Sequence, residues 1–213
     1  VNVSNLVITF SYFENVLSPM VTAQAVIVNT GNAVVDEEED ITSIYNGLPL
    51  NGGEKVSIKI PATAEGPGIE FTEENGNELY IASITNVLID AERESFTINL
   101  VSREAITNET SRIGKKFPST EPISDSVKEI IKNYLLSDKD VDIDETQNPY
   151  GFIGNMKKPF TTLTWLATKS VPGNVSGGDA TAGYFFFETY LGYHFRSIDS
   201  LITQDPFPIE YSY

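Results

Sequence analysis

Leu79-Tyr80-Ile81-Ala82-Ser83-Ile84-Thr85-Asn86-Val87-Leu88-Ile89, then Asp90-Ala91-Glu92-Arg93, then Phe96-Thr97-Ile98-Asn99-Leu100-Val101 is the stretch that decides the fold. Two β-rich runs flank a short polar link. The second run alternates apolar and polar residues, the period of two expected of a strand with one wet face. The stretch reads as a hairpin. Outward from it, Val7–Phe10, Ala23–Val28 and Lys55–Ile60 read as further strands, the last again alternating. Turn formers separate them at Asn29-Thr30-Gly31-Asn32, Asn51-Gly52-Gly53, Gly66-Pro67-Gly68 and Asn75-Gly76-Asn77. Several strands at this spacing predict a barrel or sandwich over residues 1–103.

Composition changes beyond Arg103. Residues 104–122 hold turn formers, the basic pair Lys115-Lys116, and Pro118 and Pro122, and read as a connector. A helix is expected from about Ser124, because Ile123, Val127, Ile130, Ile131 and Tyr134 share one helical face. Ser124 or Ser126 is the expected cap, and Asp125 suits the positive end of the helix dipole. Residues 137–159 read as loop. Pro159 opens a second helix with Thr161 or Thr162 as cap and Leu163, Leu166 and Ala167 facing inward. Gly183–Glu188 and Tyr193–Arg196 read as two strands around Leu191-Gly192, with a short helical segment over Ser197–Thr203. Residues 123–213 are therefore expected to form a mixed domain, and the fold class is α+β and β-rich.

The bulk numbers bound the function. The 213 residues are 40% hydrophobic and carry a formal net charge of −16. A chain of this size buries roughly 70% of the surface its unfolded form exposes, so it holds a real core. An acidic surface repels nucleic acid phosphates and anionic lipids, which argues against a protein that grips either. Residues 1–102 carry 15 acidic and 3 basic residues, −12 of the total. Without cysteine there is no disulfide, zinc–thiolate site or thiol nucleophile. No run of about 18 apolar residues spans a membrane, and no signal peptide is visible. The sequence starts at Val1 without Met and stops at Tyr213, and both ends read as cuts through a longer polypeptide.

Several segments invite a chemical reading. Asp138-Lys139-Asp140-Val141-Asp142-Ile143-Asp144-Glu145 offers the carboxylates a calcium loop needs. That loop wants Gly at its sixth position and an acid at its twelfth, where Ile143 and Pro149 stand, so a solvated acidic loop is the better reading. Asp36-Glu37-Glu38-Glu39-Asp40 reads as a loop tip open to an ion or a partner. His194 is the single histidine, lies among aromatics in an expected strand and has no nucleophile-elbow motif beside it, so a structural role is expected. Gly173-Asn174-Val175-Ser176-Gly177-Gly178 lacks the Lys-Ser/Thr ending of a phosphate loop. Trp165 and the Tyr184–Phe187 cluster line either a core or a sugar or peptide groove. No residue is assigned a catalytic, cofactor-binding or metal-ligating role, no cofactor is expected, and the chain is expected not to be an enzyme.

The order of segments carries more than any one of them. It runs through residues 44–58 with Gly47, Gly52 and Gly53 before a strand, then Leu79–Arg103, then Ala105–Phe117, then the helical Ser126–Leu136. Pro159–Leu166, Phe185–Glu188, Leu191-Gly192, Ser197–Ile202 and Gln204-Asp205-Pro206-Phe207-Pro208 follow. In this succession, from Leu6 to Pro208, the chain resembles the central hub protein of contractile-tail (myovirus) phage baseplates. That family is related to the hub part of type VI secretion spike proteins. Two departures stand out: residues 29–43 look like an insertion, and the sequence ends where a family member continues into a second barrel.

The resemblance implies a tail-tube-like antiparallel β-barrel followed by an inserted α+β domain. It also implies a homotrimer of pseudo-six-fold symmetry joining the tail tube to the central spike within the baseplate. DNA would pass through its lumen unbound, with part of the acidic charge facing that lumen. The location would be the virion, after assembly in the host cytoplasm, with no membrane insertion. The alternatives are a β-rich carbohydrate- or receptor-binding module and a cell-wall hydrolase with a clefted carboxylate pair.

Overall fold

A computed structural model describes residues 2–29, 34–35, 41–42, 45, 48, 50–62, 68–90, 93–173 and 183–205. The acidic run Asp36–Asp40 and the glycine-rich segment Asn174–Gly178 lie outside them. The chain divides into two compact units, residues 1–15 with 20–107 and residues 16–19 with 108–213.

The first unit contains β1 (Val7–Phe13), β2 (Thr22–Asn29), β3 (Val34–Val35), β4 (Ile41–Thr42), β5 (Lys55–Val56), β6 (Ile58–Ile60), β7 (Ile69–Phe71), β8 (Leu79–Ile89) and β9 (Glu94–Ser102). Five of these form an antiparallel sheet in the order β1-β2-β9-β8-β5. The sheet curls into a half-barrel, and β1 and β5 are its edges among the described residues. β3 pairs with β4 and β6 with β7 in two small ribbons.

The period of two decides which face is dry. In register, Ala23, Ala25 and Ile27 of β2 face Leu100, Ile98 and Phe96 of β9, and all six are buried. Leu79, Ile81 and Phe71 join that core. The opposite face mixes Val26, Val28 and Val101 with amides and hydroxyls. Gln24 donates to Asn99 at 3.1 Å, and Asn99 donates to Ser83 and Thr85, each at 3.1 Å. The long strand β8 departs from simple alternation. Register shifts after Ile81 and after Thr85, with Asn86 at φ 54°, throw Val87, Leu88 and Ile89 outward.

Helix α1 (Arg103–Thr110) crosses the division between the units. The second unit then has β10 (Lys116–Phe117), α2 (Ile123–Asn133), β11 (Val141–Ile143), β12 (Phe152–Ile153), α3 (Pro159–Ala167), β13 (Tyr184–Thr189), β14 (Gly192–Ser197) and α4 (Ile198–Thr203). The residues read as connector are thus partly regular, carrying most of α1 and all of β10. The residues read as loop over 137–159 contain β11 and β12.

β11 runs parallel to β14, which is antiparallel to β13. β11 approaches so closely that Tyr193 N–H donates to the Asp140 carbonyl at 2.9 Å, and a Cβ on Gly192 (φ 132°) would lie 2.2 Å from that oxygen. Ile123, Val127, Ile130 and Ile131 of α2 are buried as expected, with Tyr134 half-buried just past the helix end; α2 packs on α3, which buries Leu163 and Leu166 and in turn packs on β13. The caps differ. Pro122 and Lys158 precede the two helices, with no side-chain cap. Ser124 lies inside α2, where the hydroxyl of Thr146, distant in sequence, accepts its backbone N–H at 3.0 Å.

Candidate functional site

The polar chemistry of the second unit gathers on β14. A strand sends alternate side chains to one face, so His194 and Arg196 point the same way. The parallel register sets Asp142 opposite His194. The Asp142 carboxylate meets Arg196 Nη1 at 2.6 Å and His194 Nδ1 at 3.5 Å, and Arg196 Nε reaches Asp144 at 3.1 Å. Asp144 also accepts the Ser197 N–H at 2.7 Å and the Ser200 hydroxyl. Burial pushes the Asp144 carboxyl up, but the Ser200 hydroxyl, the Ser197 N–H and Arg196 outweigh it and hold it below its ordinary value. The Ser197 side chain in turn accepts the Ser200 N–H at 3.1 Å and caps α4.

The acidic run Asp138–Glu145, read as a solvated loop, contains strand β11, and two of its carboxylates have partners. Asp142, on β11 and half-exposed, meets Arg196 and His194, and Asp144, just past β11, meets Arg196, Ser197 and Ser200. Among the described residues no group of three metal-ligating side chains gathers.

A cleft of about 540 Å³ opens beside the network, lined by Asp144, Glu145, Gly173, Tyr184, Asp199 and Ser200 among others. The Tyr184 hydroxyl donates to the Glu145 carbonyl at 3.0 Å. Burial first, then the charges of Asp144 and Asp199, push that hydroxyl's ionisation well upward.

His194 is more connected than its sequence context suggested. Its Nε2 lies 2.8 Å from Thr189 Oγ1, and Phe187 stacks on the ring at 4.9 Å. Hydroxyl, imidazole and carboxylate therefore stand in the order a nucleophilic triad uses. The surroundings are those of a structural tie. Thr189 Oγ1 already accepts the Leu191 N–H at 3.2 Å, Arg196 takes the Asp142 oxygen, and the cleft is lined by neither Thr189 nor His194. A second tie, absent from the sequence reading, is the ion pair of Lys139 with fully buried Glu188 at 2.5 Å.

The two aromatic groups read together as a groove part company. Tyr184, Phe186 and Phe187 are buried, with Phe186 stacked on Tyr193 at 5.4 Å. Trp165 is half-buried in a different cluster. Tyr150 lies 5.7 Å from it edge-on, Phe152 lies 5.6 Å from it edge-on, and Phe152 stacks on Phe117 at 4.4 Å. Lys157 stands 5.8 Å over the Trp165 ring.

No protein-family model and no curated protein matches the sequence. Solved structures do. The 43 kDa tail protein of prophage MuSo2 from Shewanella oneidensis superimposes with a TM-score of 0.54 at 10% identity, over 87% of this chain and 48% of its own. The chain shares its fold with a phage tail protein. An E. coli component of the type VI secretion system, itself structurally similar to the T4 bacteriophage tail proteins gp27 and gp5, gives a TM-score of 0.50 at 12% identity, over 89% of this chain and 45% of its own. The chain spans about half the length of each. The likeness is one of fold, and it agrees with the tail-protein resemblance carried by the order of segments.

Proposed function

We propose that this chain is a structural component of a phage-type tail, in the baseplate hub, where three copies form a pseudo-six-fold ring between tail tube and central spike. The observation that carries the reading is the fold likeness over nearly the whole chain to two proteins of tail-type machines. The ordered segments of the sequence support it independently. In this reading the location is the virion tail, the partners are spike, tube and neighbouring baseplate proteins, and DNA passes without being held.

The acidic charge bears on that last point. Strands β1, β2, β8 and β9 carry one carboxylate, Glu94, and it is buried. The other described acids of residues 1–102, Glu14, Glu54, Glu70, Glu73, Glu74, Glu78 and Asp90, lie outside these four strands, and the wet face of the sheet carries neutral amides and hydroxyls beside Val26, Val28 and Val101. If that face lines a passage, neutral polar groups rather than repelling carboxylates meet the DNA.

We also propose that these residues catalyse nothing. The cleft beside Asp144 lacks the His194–Thr189 pair, and the Asp144 carboxylate that lines it is engaged by Ser197, Ser200 and Arg196. The reading as a carbohydrate-binding module would rest on Trp165, but its neighbours meet it edge-on rather than extending a flat stacking platform.

Cryo-electron microscopy of the particle that carries the chain tests the main reading. A three-copy ring at the baseplate is expected, and a position on the fibres or in the sheath would overturn it. Release of fragments from peptidoglycan by the purified chain would overturn the non-catalytic reading.

A further inference from the structure

Asparagine followed by glycine is chemically labile. Glycine has no Cβ to screen its backbone nitrogen, which can attack the asparagine side chain. The sequence holds three such pairs, Asn46-Gly47, Asn51-Gly52 and Asn75-Gly76. The first lies outside the described residues. The other two stand in opposite settings.

At Asn75 both ends of the side-chain amide are engaged. Oδ1 accepts the Thr72 N–H at 3.1 Å, the Thr72 hydroxyl at 3.2 Å and the Asn77 N–H at 3.3 Å. Nδ2 donates to the Glu70 carbonyl at 2.6 Å. The Gly76 N–H, on the nitrogen that would attack, donates to the Glu73 carbonyl at 3.2 Å. The side chain is turned back into its own capping box and away from Gly76.

At Asn51 the side chain is exposed, and its amide makes no hydrogen bond among the described residues. Gly52 and Gly53 follow, both exposed, with φ 95° and 89°. One restraint is present. The two Glu54 side-chain oxygens accept the Asn51 N–H and the Gly52 N–H, each at 2.8 Å. The Asn51 N–H in particular holds the Glu54 carboxyl below its ordinary value. A negative charge at the Gly52 nitrogen opposes the loss of its proton. The same turn leads into β5 and clasps it to β8. The Gly53 N–H donates to the Ile81 carbonyl at 2.7 Å, and the Ile81 N–H donates to the Glu54 carbonyl at 3.0 Å.

We infer that Asn51-Gly52 is a site of spontaneous deamidation, restrained by the Glu54 side chain, and that its conversion loosens the β5 edge of the sheet. The Gly52 nitrogen gives its proton to solvent and attacks the Asn51 side-chain carbonyl carbon. A C–N bond forms to the ring, the bond to the side-chain nitrogen breaks, and ammonia leaves. Water then opens the five-membered imide at either carbonyl. One opening gives aspartate, the other an isoaspartyl link with an extra methylene in the main chain. Either product sets a second carboxylate beside Glu54, which weakens its hold on the two N–H groups. A strand of two residues depends on the turn that presents it.

The full chain, incubated at slightly alkaline pH and sampled by peptide mapping and mass spectrometry, tests this. Asn51 should convert at least about tenfold faster than Asn75, the factor that about 1.4 kcal/mol of hydrogen bonding lost at Asn75 imposes. In urea the two rates should converge, because the protection of Asn75 belongs to the fold. Glu54→Ala should speed conversion at Asn51 about threefold, the effect of one weak, solvent-exposed interaction. In the aged chain the Ile81 amide should exchange its hydrogen faster than in the fresh chain. Asn51→Gln should show no such ageing, since its longer side chain closes the ring far more slowly.

Conversion of Asn75 as fast as Asn51 in the folded chain overturns the assignment, as does an Asn51 that converts only in urea. Slower conversion in Glu54→Ala overturns the restraint, and unchanged Ile81 exchange after ageing overturns the loosening of β5. The inference is independent of the tail reading, and no outcome of these measurements bears on it.

Discussion

Strand β9 of the first unit and strand β14 of the second are both central, buried and paired on two sides, yet different forces hold them. On β9 the inward residues are Phe96, Ile98 and Leu100, and its wet face carries an uncharged ladder through Asn99. On β14 one face carries Tyr193 and Phe195 to the core, while the other holds His194 and Arg196 against the Asp142 carboxylate of β11. The first sheet needs only alternation, because each strand meets another of like pattern. The second captures a three-residue strand too short to bury much apolar surface, and specific polar partners hold it in place. The lesson is that short strands are positioned by directional interactions, and long ones by hydrophobic period.

Four substitutions break or sharpen this contrast. Lys139→Ala should cost about 3–5 kcal/mol, because it leaves the Glu188 carboxylate buried without its counter-ion. Chemical denaturation followed by the fluorescence of Trp165, the single tryptophan, measures it. The double replacement Lys139→Met with Glu188→Leu should recover most of that loss. A double variant as unstable as the single would mean that the pair contributes net stability rather than specificity.

Leu100→Ala on β9 should cost about 2–5 kcal/mol through lost burial and the cavity left behind, read in the same denaturation. A loss below 1 kcal/mol, on the order of an exposed site, would contradict a sheet held by its apolar face.

Asp144→Asn should cost about 2 kcal/mol at neutral pH, since it weakens charge-assisted hydrogen bonds to Arg196, Ser197 and Ser200. It should also change the acid response. A carboxyl held below its ordinary value in the folded state contributes stability that is full above the unfolded value of about 3.9 and is lost as pH falls through the folded value. The variant should therefore lose less stability than the parent on acidification below about pH 4. An unchanged acid limb would show that Asp144 is not held low.

Asn99→Ala should have the smallest effect, about 0.5–1 kcal/mol, because neighbouring Gln24, Ser83 and Thr85 are open to water and replace the lost bonds with solvent. An effect as large as that of Leu100→Ala would mean that the wet face, too, is a structural core.

Much of the fold was legible because its signals are local. Period-two alternation marked β9, and the spacing of Ile123, Val127, Ile130 and Ile131 marked α2. The candidate site was less legible. Val141-Asp142-Ile143 carries one apolar–polar–apolar beat, a hint of strand β11, but its acidic flanks read more strongly as loop. Arg196 and Lys139 gave no sign of their partners, which lie about fifty residues away.

By itself, the sequence determined the β-rich α+β class, the hairpin at 79–102, the inward faces of both helices, the absence of thiol chemistry and the order of segments that marks a tail-hub resemblance. Tertiary structure alone decided that Asp142 and Asp144 meet Arg196, and that Phe186 goes to the core while Trp165 is half-buried in a separate cluster. It also decided that bulges in β8 expose Val87–Ile89. The reason is physical. Backbone periodicity is written in neighbouring residues, whereas the partner of a charge or the neighbour of a ring is set by contacts between segments far apart in the chain.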